Sequence, residues 1–260
     1  MVRINVLVPI KGPAPWLGEC LASLEQQTLV DWNLVAVLHG TDEVAEQLLK
    51  TCAFPVALIR APVSYSLSEV LNLGLKECTG EYVARLDSDD VALPERLALQ
   101  SSYLDMHPEV AVVGSDAEEI NESGVITGHR FMPHDPSAVT KRLVWRNALI
   151  HPTTMFRRTV VVELGGYNTE CRHVEDFELW LRVQENWDLA SLNTATIQYR
   201  IHSQQVTRTS SPNLTALKAV RSAQISLARA RHRSATAAKV RNSIWSLKIK
   251  LTKVIDSIKY

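Results

Sequence analysis

The chain has 260 residues, 46% of them hydrophobic and 22% charged, with 28 Lys+Arg against 28 Asp+Glu. That length suits one large α/β domain with a proper core, and a net charge of zero gives no general attraction to nucleic acid. The four cysteines, Cys20, Cys52, Cys78 and Cys171, form no CxxC and read as reduced thiols of a cytosolic protein, not as a disulfide or zinc framework.

The opening "INVLVPI" (4–10) is short and apolar and reads as a first strand, not as a leader. Residues 16–27 predict a helix, with Leu17, Cys20, Leu21 and Leu24 on one face. A strand over 32–38, a helix over 44–51, a strand over 54–60, a helix over 67–76 and a strand over 81–87 follow. This alternation argues for a mostly parallel, Rossmann-like sheet with helices on both faces. Ligands of such sheets bind at the carboxyl ends of the strands. The stretch "ARLDSDDVALPERL" puts Asp87, Asp89 and Asp90 at such an end. Carboxylates this close repel one another unless a cation or water separates them.

Pro94 opens a further helix of about a dozen residues, where its missing N–H costs nothing. Asp90 then reads as an acid near that helix N-terminus. A strand over 110–120, a loop over 121–138 and a helix over 139–147 come next. Gly165-Gly166 marks a helix stop and turn. Residues 175–185 predict a helix with Phe177, Trp180, Leu181 and Gln184 on one face, and 193–202 a late strand. No apolar run approaches the ~20 residues of a spanning helix.

Zero net charge conceals an asymmetry. After Pro212 there are eleven Lys+Arg and one acid, Asp256, so residues 1–212 carry about −10 and residues 213–260 about +10. In that tail Val240, Ile244, Leu247, Leu251, Val254 and Ile258 recur at helical spacing, beside Trp245, with Arg241, Lys248, Lys253 and Lys259 off the stripe. A basic amphipathic helix of this kind suits an anionic membrane surface, or else packs on the body or a second copy.

In their order along 4–208, the blocks "VLVPI", "WLGECLASLEQQTLVDWNLVAV", "SLSEVLNLGLKECTGEYVARLDSDDVALPERLALQ", "HPTTMFRRTVVVELGGYN", "VEDFELWLRV" and "YRIH" resemble the family-2-type glycosyltransferases of the GT-A fold. The resemblance implies a GT-A domain over 1–212, with a donor-nucleotide half at 1–90 and an acceptor half at 91–212, and a basic helical tail at 213–260. It implies transfer of a sugar from a nucleotide sugar, a UDP-sugar first among them, to a glycan or lipid-linked acceptor. The reaction would be inverting, would use Mn²⁺ or Mg²⁺, and would occur in the cytoplasm on the inner face of the membrane.

Residue by residue, Asp87-Ser88-Asp89 looks like the family's DxD motif, which implies metal contacts from Asp89 and Asp87. His202 of "YRIH" resembles a family histidine that reaches the metal or diphosphate, although a lone histidine after a strand is as readily structural. Asp176 of "ED" stands where the family has its catalytic base; read from the residues alone, it caps the helix that follows. Glu175, Gly165, Gly166 and Trp180 fall in acceptor-side blocks, with a turn as the simpler role for the glycines and core for the tryptophan. Pro9, Ile10, Lys11, His39, Arg85, Asp87 and Ser88 fall on the donor side.

Two donor-side blocks depart from the family. "IKGPAP" lacks the aromatic and Asn usual after the first strand, and "VLHGTD" puts Leu38 and His39 where an Asp pair is usual. Lys11 would then serve a phosphate, His39 a base, and Asp42 stands in for a missing Asp. Two other functions fit parts of the pattern: a non-catalytic relative that binds nucleotide or glycan, and a phosphatase with Asp87 as nucleophile, since "DSDDV" also matches a loose DxDx[TV] pattern.

Overall fold

A computed structural model describes residues 2–40, 42–203, 205 and 211–230. The apolar stripe of the basic tail lies outside the described residues. In chain order the elements are β1 (Ile4–Lys11), α1 (Leu17–Glu25), β2 (Trp32–His39), α2 (Glu43–Lys50), β3 (Val56–Ala61), α3 (Leu67–Glu77) and β4 (Tyr82–Arg85). These are followed by β5 (Val91–Ala92), α4 (Arg96–Met106), β6 (Val110–Ile120), β7 (Ile126–Arg130) and α5 (Pro136–Leu143). A 3-10 turn (His151–Thr153), β8 (Met155–Arg157), α6 (Arg158–Glu163), α7 (Glu175–Val183), β9 (Asp188–Arg200) and α8 (Leu214–Ala230) complete the described part.

One sheet runs β3-β2-β1-β4-β8-β6-β9-β5, with β7 added on β6. Strands β1 to β4, β6 and β9 point one way, and β5, β7 and β8 the other. Side chains alternate across it, as the period of two requires. Ile4, Val6, Val8 and Ile10 of β1 and Leu34, Ala36 and Leu38 of β2 pack with Leu17, Leu21 and Leu24 of α1 and Leu97 of α4. Leu7, Val35 and Val37 enter the opposite layer with α3, α5, α6 and α7. Both faces are thus covered, which is why the inner strands are continuous apolar runs.

The structure corrects the sequence reading in several places. β7 lies inside the region read as loop; it is an edge strand with Ile126 half exposed, so it lacks a strand's usual apolar alternation. β5 has only two residues and pairs with β9, which begins at Asp188, five residues earlier than expected. α5 starts at Pro136, N-capped by Asp135, whose Oδ1 accepts from Ala138 N at 2.9 Å. α8 packs on the body: Val220, Ala223 and Leu227 are buried in the same cluster as Phe177 and Trp180 of α7. Among the described residues no helix is long and apolar enough to cross a membrane.

Candidate active site

β4 delivers its last residue, Arg85, and then the acid loop to the carboxyl edge of the sheet. Ligand oxygens of Asp87, Asp89 and Asp90 all lie within 4.8 Å of one another. The loop is held from beneath. Arg200, at the end of β9 and wholly buried, donates from its backbone N to Asp90 Oδ1 (2.9 Å) and from Nε to Asp89 O (2.9 Å). Its remaining nitrogens reach Glu19 Oε2 (2.6 Å), Asn121 O (3.2 Å) and Glu122 O (3.3 Å). The Trp16 ring covers this guanidinium at 5.3 Å and meets the His202 ring at 4.7 Å. His202 Nε2 lies 2.8 Å from Asp89 Oδ2.

The cluster is electrostatically costly. Burial and the Asp87 charge push Asp89 above the usual carboxylate range, and burial with two acidic neighbours pushes Asp90 further. Among the described residues, buried Asp90 Oδ2 has no hydrogen-bond partner. Three hard oxygen donors converging with unspent lone pairs fit a small divalent cation such as Mg²⁺ or Mn²⁺. The helix role read for Asp90 is corrected. α4 starts only at Arg96, and Asp90 is a buried member of the cluster.

The second acidic centre is the first turn of α7. Glu175 is buried, and desolvation followed by the Asp176 charge pushes it up to about 7. Burial also raises Asp176, although Phe177 N donates to its Oδ1 (2.7 Å) and Asn147 Nδ2 to its Oδ2 (2.5 Å). The N-cap position itself is Val174, so Asp176 satisfies a first-turn N–H from inside the helix and does not cap it.

Between the two centres sits Arg85. Its Nη2 is 2.5 Å from Asp87 Oδ1, while buried Nε and Nη1 have no hydrogen-bond partner among the described residues. Its charge is felt by Asp90, Glu175, Asp176 and Tyr167 as well. One buried cation therefore links a metal-type acid cluster to a raised carboxyl pair.

Residues 5–165 match Glycosyl transferase family 2. The chain belongs to that family. It is 32% identical over 198 residues to the amylovoran biosynthesis glycosyltransferase AmsE of Erwinia amylovora, covering 74% of this chain and 73% of the relative. It is 30% identical over 213 residues to the O-antigen biosynthesis glycosyltransferase WbnJ of Escherichia coli, covering 77% of this chain and 80% of that one. The crystal structure of S. aureus TarS 1-349 in complex with UDP-GlcNAc superposes with a TM-score of 0.75 at 18% identity, over 94% of this chain and 71% of TarS. The fold is the GT-A fold.

With the glycosyltransferase identified, the candidate residues sort by position. Asp87, Ser88 and Asp89 are part-exposed on the acid loop, and Lys11 is exposed at the end of β1. Pro9 and Ile10 are buried in β1, so their side chains offer nothing to a donor. Asp42 is the N-cap of α2, its Oδ1 accepting from Ala45 N at 3.0 Å, while its Oδ2 stands against Gly12 just past β1. Trp180 is wholly buried, packed near Phe156 and His151, and presents no face to a sugar.

Gly165 and Gly166, both at positive φ, close α6 by donating to Val162 O and Val161 O, at 2.9 Å each. Arg182 Nη2 ties Gly166 O at 2.7 Å, and a Cβ on Gly166 would meet Asn72 Oδ1 at 2.4 Å. Sequence reading missed Arg200, Asn147, Trp16 and Glu19. Arg200 stood two residues before His202 in "YRIH", and a lone arginine at the end of the uncharged run "NTATIQY" was the available signal.

Proposed function

We propose that this glycosyltransferase is an inverting, divalent-cation-dependent enzyme. In this reading it moves a sugar from a nucleotide-sugar donor to a hydroxyl of a glycan or lipid-linked acceptor in cell-surface polysaccharide biosynthesis. The observation that carries this is the pairing of the acid cluster on the β4 edge with the Glu175–Asp176 pair across buried Arg85. The polysaccharide products named for AmsE and WbnJ support the substrate class.

Asp87 and Asp89 would hold the cation, with Asp90 behind them. A bound Mg²⁺ or Mn²⁺ neutralises the diphosphate that a sugar transfer expels. His202 Nε2 lies 2.8 Å from Asp89 Oδ2, where the ring orients that carboxylate and stands beside the place the cation would take. Asp176 takes the proton of the acceptor hydroxyl. Its two oxygens each hold one donated hydrogen bond and keep a lone pair for that proton. Burial makes it more basic than an exposed aspartate, which suits a general base near neutral pH. One base and direct displacement invert the anomeric carbon. Glu175 and Arg85 set the charge around Asp176.

The test is turnover of a nucleotide-sugar panel with Mn²⁺, repeated with chelator and with Asp89→Ala. Transfer with inverted product configuration, lost in both controls, is the expected result. Transfer that survives in Asp89→Ala overturns the metal assignment. A non-catalytic relative remains a second reading because no carboxylate replaces Leu38; nucleotide binding without turnover for any donor would favour it.

The basic stripe beyond Val240, outside the described residues, would hold the enzyme at the anionic inner face of the membrane. Salt-sensitive sedimentation with anionic vesicles, lost on truncation after Ala230, which keeps the packed helix α8, is its test; equal sedimentation of both forms rejects it.

A further inference from the structure

Residues 136–162 hold five Lys+Arg and no acid, within a body that is acidic as a whole. Two of the five are taken up by main chain. Arg157 Nε and Nη2 donate to Val110 O (3.0 Å) and Leu104 O (2.7 Å), and Arg158 Nε donates to Gly80 O (2.8 Å). The other three, Lys141, Arg142 and Arg146, stand at the carboxyl end of α5. Trp145 N and Arg146 N both donate to Arg142 O, at 2.9 and 3.0 Å, so the helical turn runs on past Leu143. Residues three and four apart share a face of such a turn, which puts Arg142, Trp145 and Arg146 together.

Two like charges at that spacing repel. Burial and the Arg146 charge hold Arg142 below the usual arginine range. Among the described residues no carboxylate pairs with Lys141, Arg142 or Arg146. The helix dipole favours cations at a carboxyl end, but it gives nothing to a tryptophan ring. Trp145 is nonetheless 47% exposed on the face of the two guanidinium groups. An indole in water next to arginines suits a ligand that is anionic at one point and apolar at the next.

The patch is joined to the proposed base through one residue. Arg142 Nε donates to Asn147 O at 3.3 Å, and Asn147 Nδ2 to Asp176 Oδ2 at 2.5 Å. An acceptor whose hydroxyl lies at Asp176 can therefore extend to Arg142 and Arg146. α8 is fixed at the same place, with Gln224 Nε2 donating to Val144 O at 3.1 Å. Gln224 stands six residues, about 9 Å, before the end of α8 at Ala230, and the sequence that follows carries the basic stripe.

Resting on the reading of Asp176 as the base, we propose that Arg142 and Arg146 bind the phosphate of a lipid-linked acceptor, and that Trp145 takes the apolar carrier beside it. The guanidinium fork matches phosphate oxygens, and charge assistance makes those hydrogen bonds strong. The acceptor is then recognised by its carrier phosphate as well as by its sugar.

The experiment is calorimetric titration of the full chain by geranyl phosphate, geraniol and inorganic phosphate. Chelator is present, so that no cation bridges a phosphate to the acid cluster. Geranyl phosphate should bind more tightly than either of the others. In Arg142→Gln with Arg146→Gln, checked for an unchanged melting temperature, it should bind about tenfold or more weakly, as the loss of charge-assisted hydrogen bonds requires. Trp145→Ala should weaken geranyl phosphate and leave inorganic phosphate unchanged; equal geranyl phosphate binding by this variant overturns the carrier contact. A wild type that binds geranyl phosphate no more tightly than inorganic phosphate overturns the proposal, as does undiminished binding by the folded double variant. Phosphatidylglycerol vesicles test a lipid headgroup as the source of the anion. A double variant that loses the vesicles but keeps geranyl phosphate makes the patch a membrane contact and overturns the acceptor site. Failure of the base reading shows elsewhere, as normal transfer by Asp176→Asn, whatever geranyl phosphate does.

Discussion

Arg85 Nη2 lies 2.5 Å from Asp87 Oδ1, and the other two guanidinium nitrogens are buried with no hydrogen-bond partner among the described residues. Burial works against the charge, but Asp87 more than offsets it. Arg85 therefore acts through its field on acids it does not bond. Arg85→Met should destabilise the fold by about 2 kcal/mol, less than a fully buried pair would lose, because Asp87 is 31% exposed. Arg85→Lys keeps the charge and should lose less. Urea denaturation measures both. A Met variant as stable and as active as wild type would remove Arg85 from the site.

Asp176→Asn should leave nucleotide binding intact and lower transfer by ~10²–10⁴-fold. Asn offers one acceptor oxygen where Asp offers two. The variant therefore keeps the bond from Phe177 N or that from Asn147 Nδ2, not both, and should lose about 1 kcal/mol of stability. A large stability loss with near-normal turnover would reduce Asp176 to a structural acid.

Glu175 sets a pH dependence of stability. Its carboxyl is raised in the folded protein from 4.5 to about 7, chiefly by burial. The folded state then binds more protons than the unfolded state between those values. Its contribution to stability is fully present below pH 4.5 and is lost as pH rises through about 7. The loss is about 3 kcal/mol at most for a group so buried. Glu175→Gln should flatten that slope, so the variant gains on wild type across this window and holds its gain above it. Denaturation midpoints from pH 4.5 to 8 give the comparison; parallel curves would contradict the buried-acid account.

Leu38→Asp would restore a carboxylate usual in the family, and the structure predicts that it fails. Leu38 is wholly buried within the apolar cluster on the α1 face of the sheet. The substitution should cost more than about 3 kcal/mol, as an unpaired buried charge does. His39→Asp, at a half-buried position, should cost far less. Thermal melts of the two variants decide this, and a Leu38→Asp protein melting like wild type would show that the β2 edge opens.

The sequence by itself determined the βα alternation, the two-faced sheet and the placing of Asp87-Ser88-Asp89 at a strand end. These are local patterns, carried by the period of two in β1 and β2 and by residues adjacent in the chain. It also placed Glu175-Asp176 at a helix start. Only the tertiary structure decided what those acids meet. Arg200 reaches Asp90 across 110 residues, Asn147 reaches Asp176 across 29, and His39 finds its carbonyl at Val63, across 24. Such pairs leave no periodic trace, because their spacing is set by the lengths of the intervening loops and not by any helix or strand repeat. The same holds for Trp180 and Leu38. Each could belong to core or site as a residue type, and only the packing of helices on both faces of the sheet put both in the core.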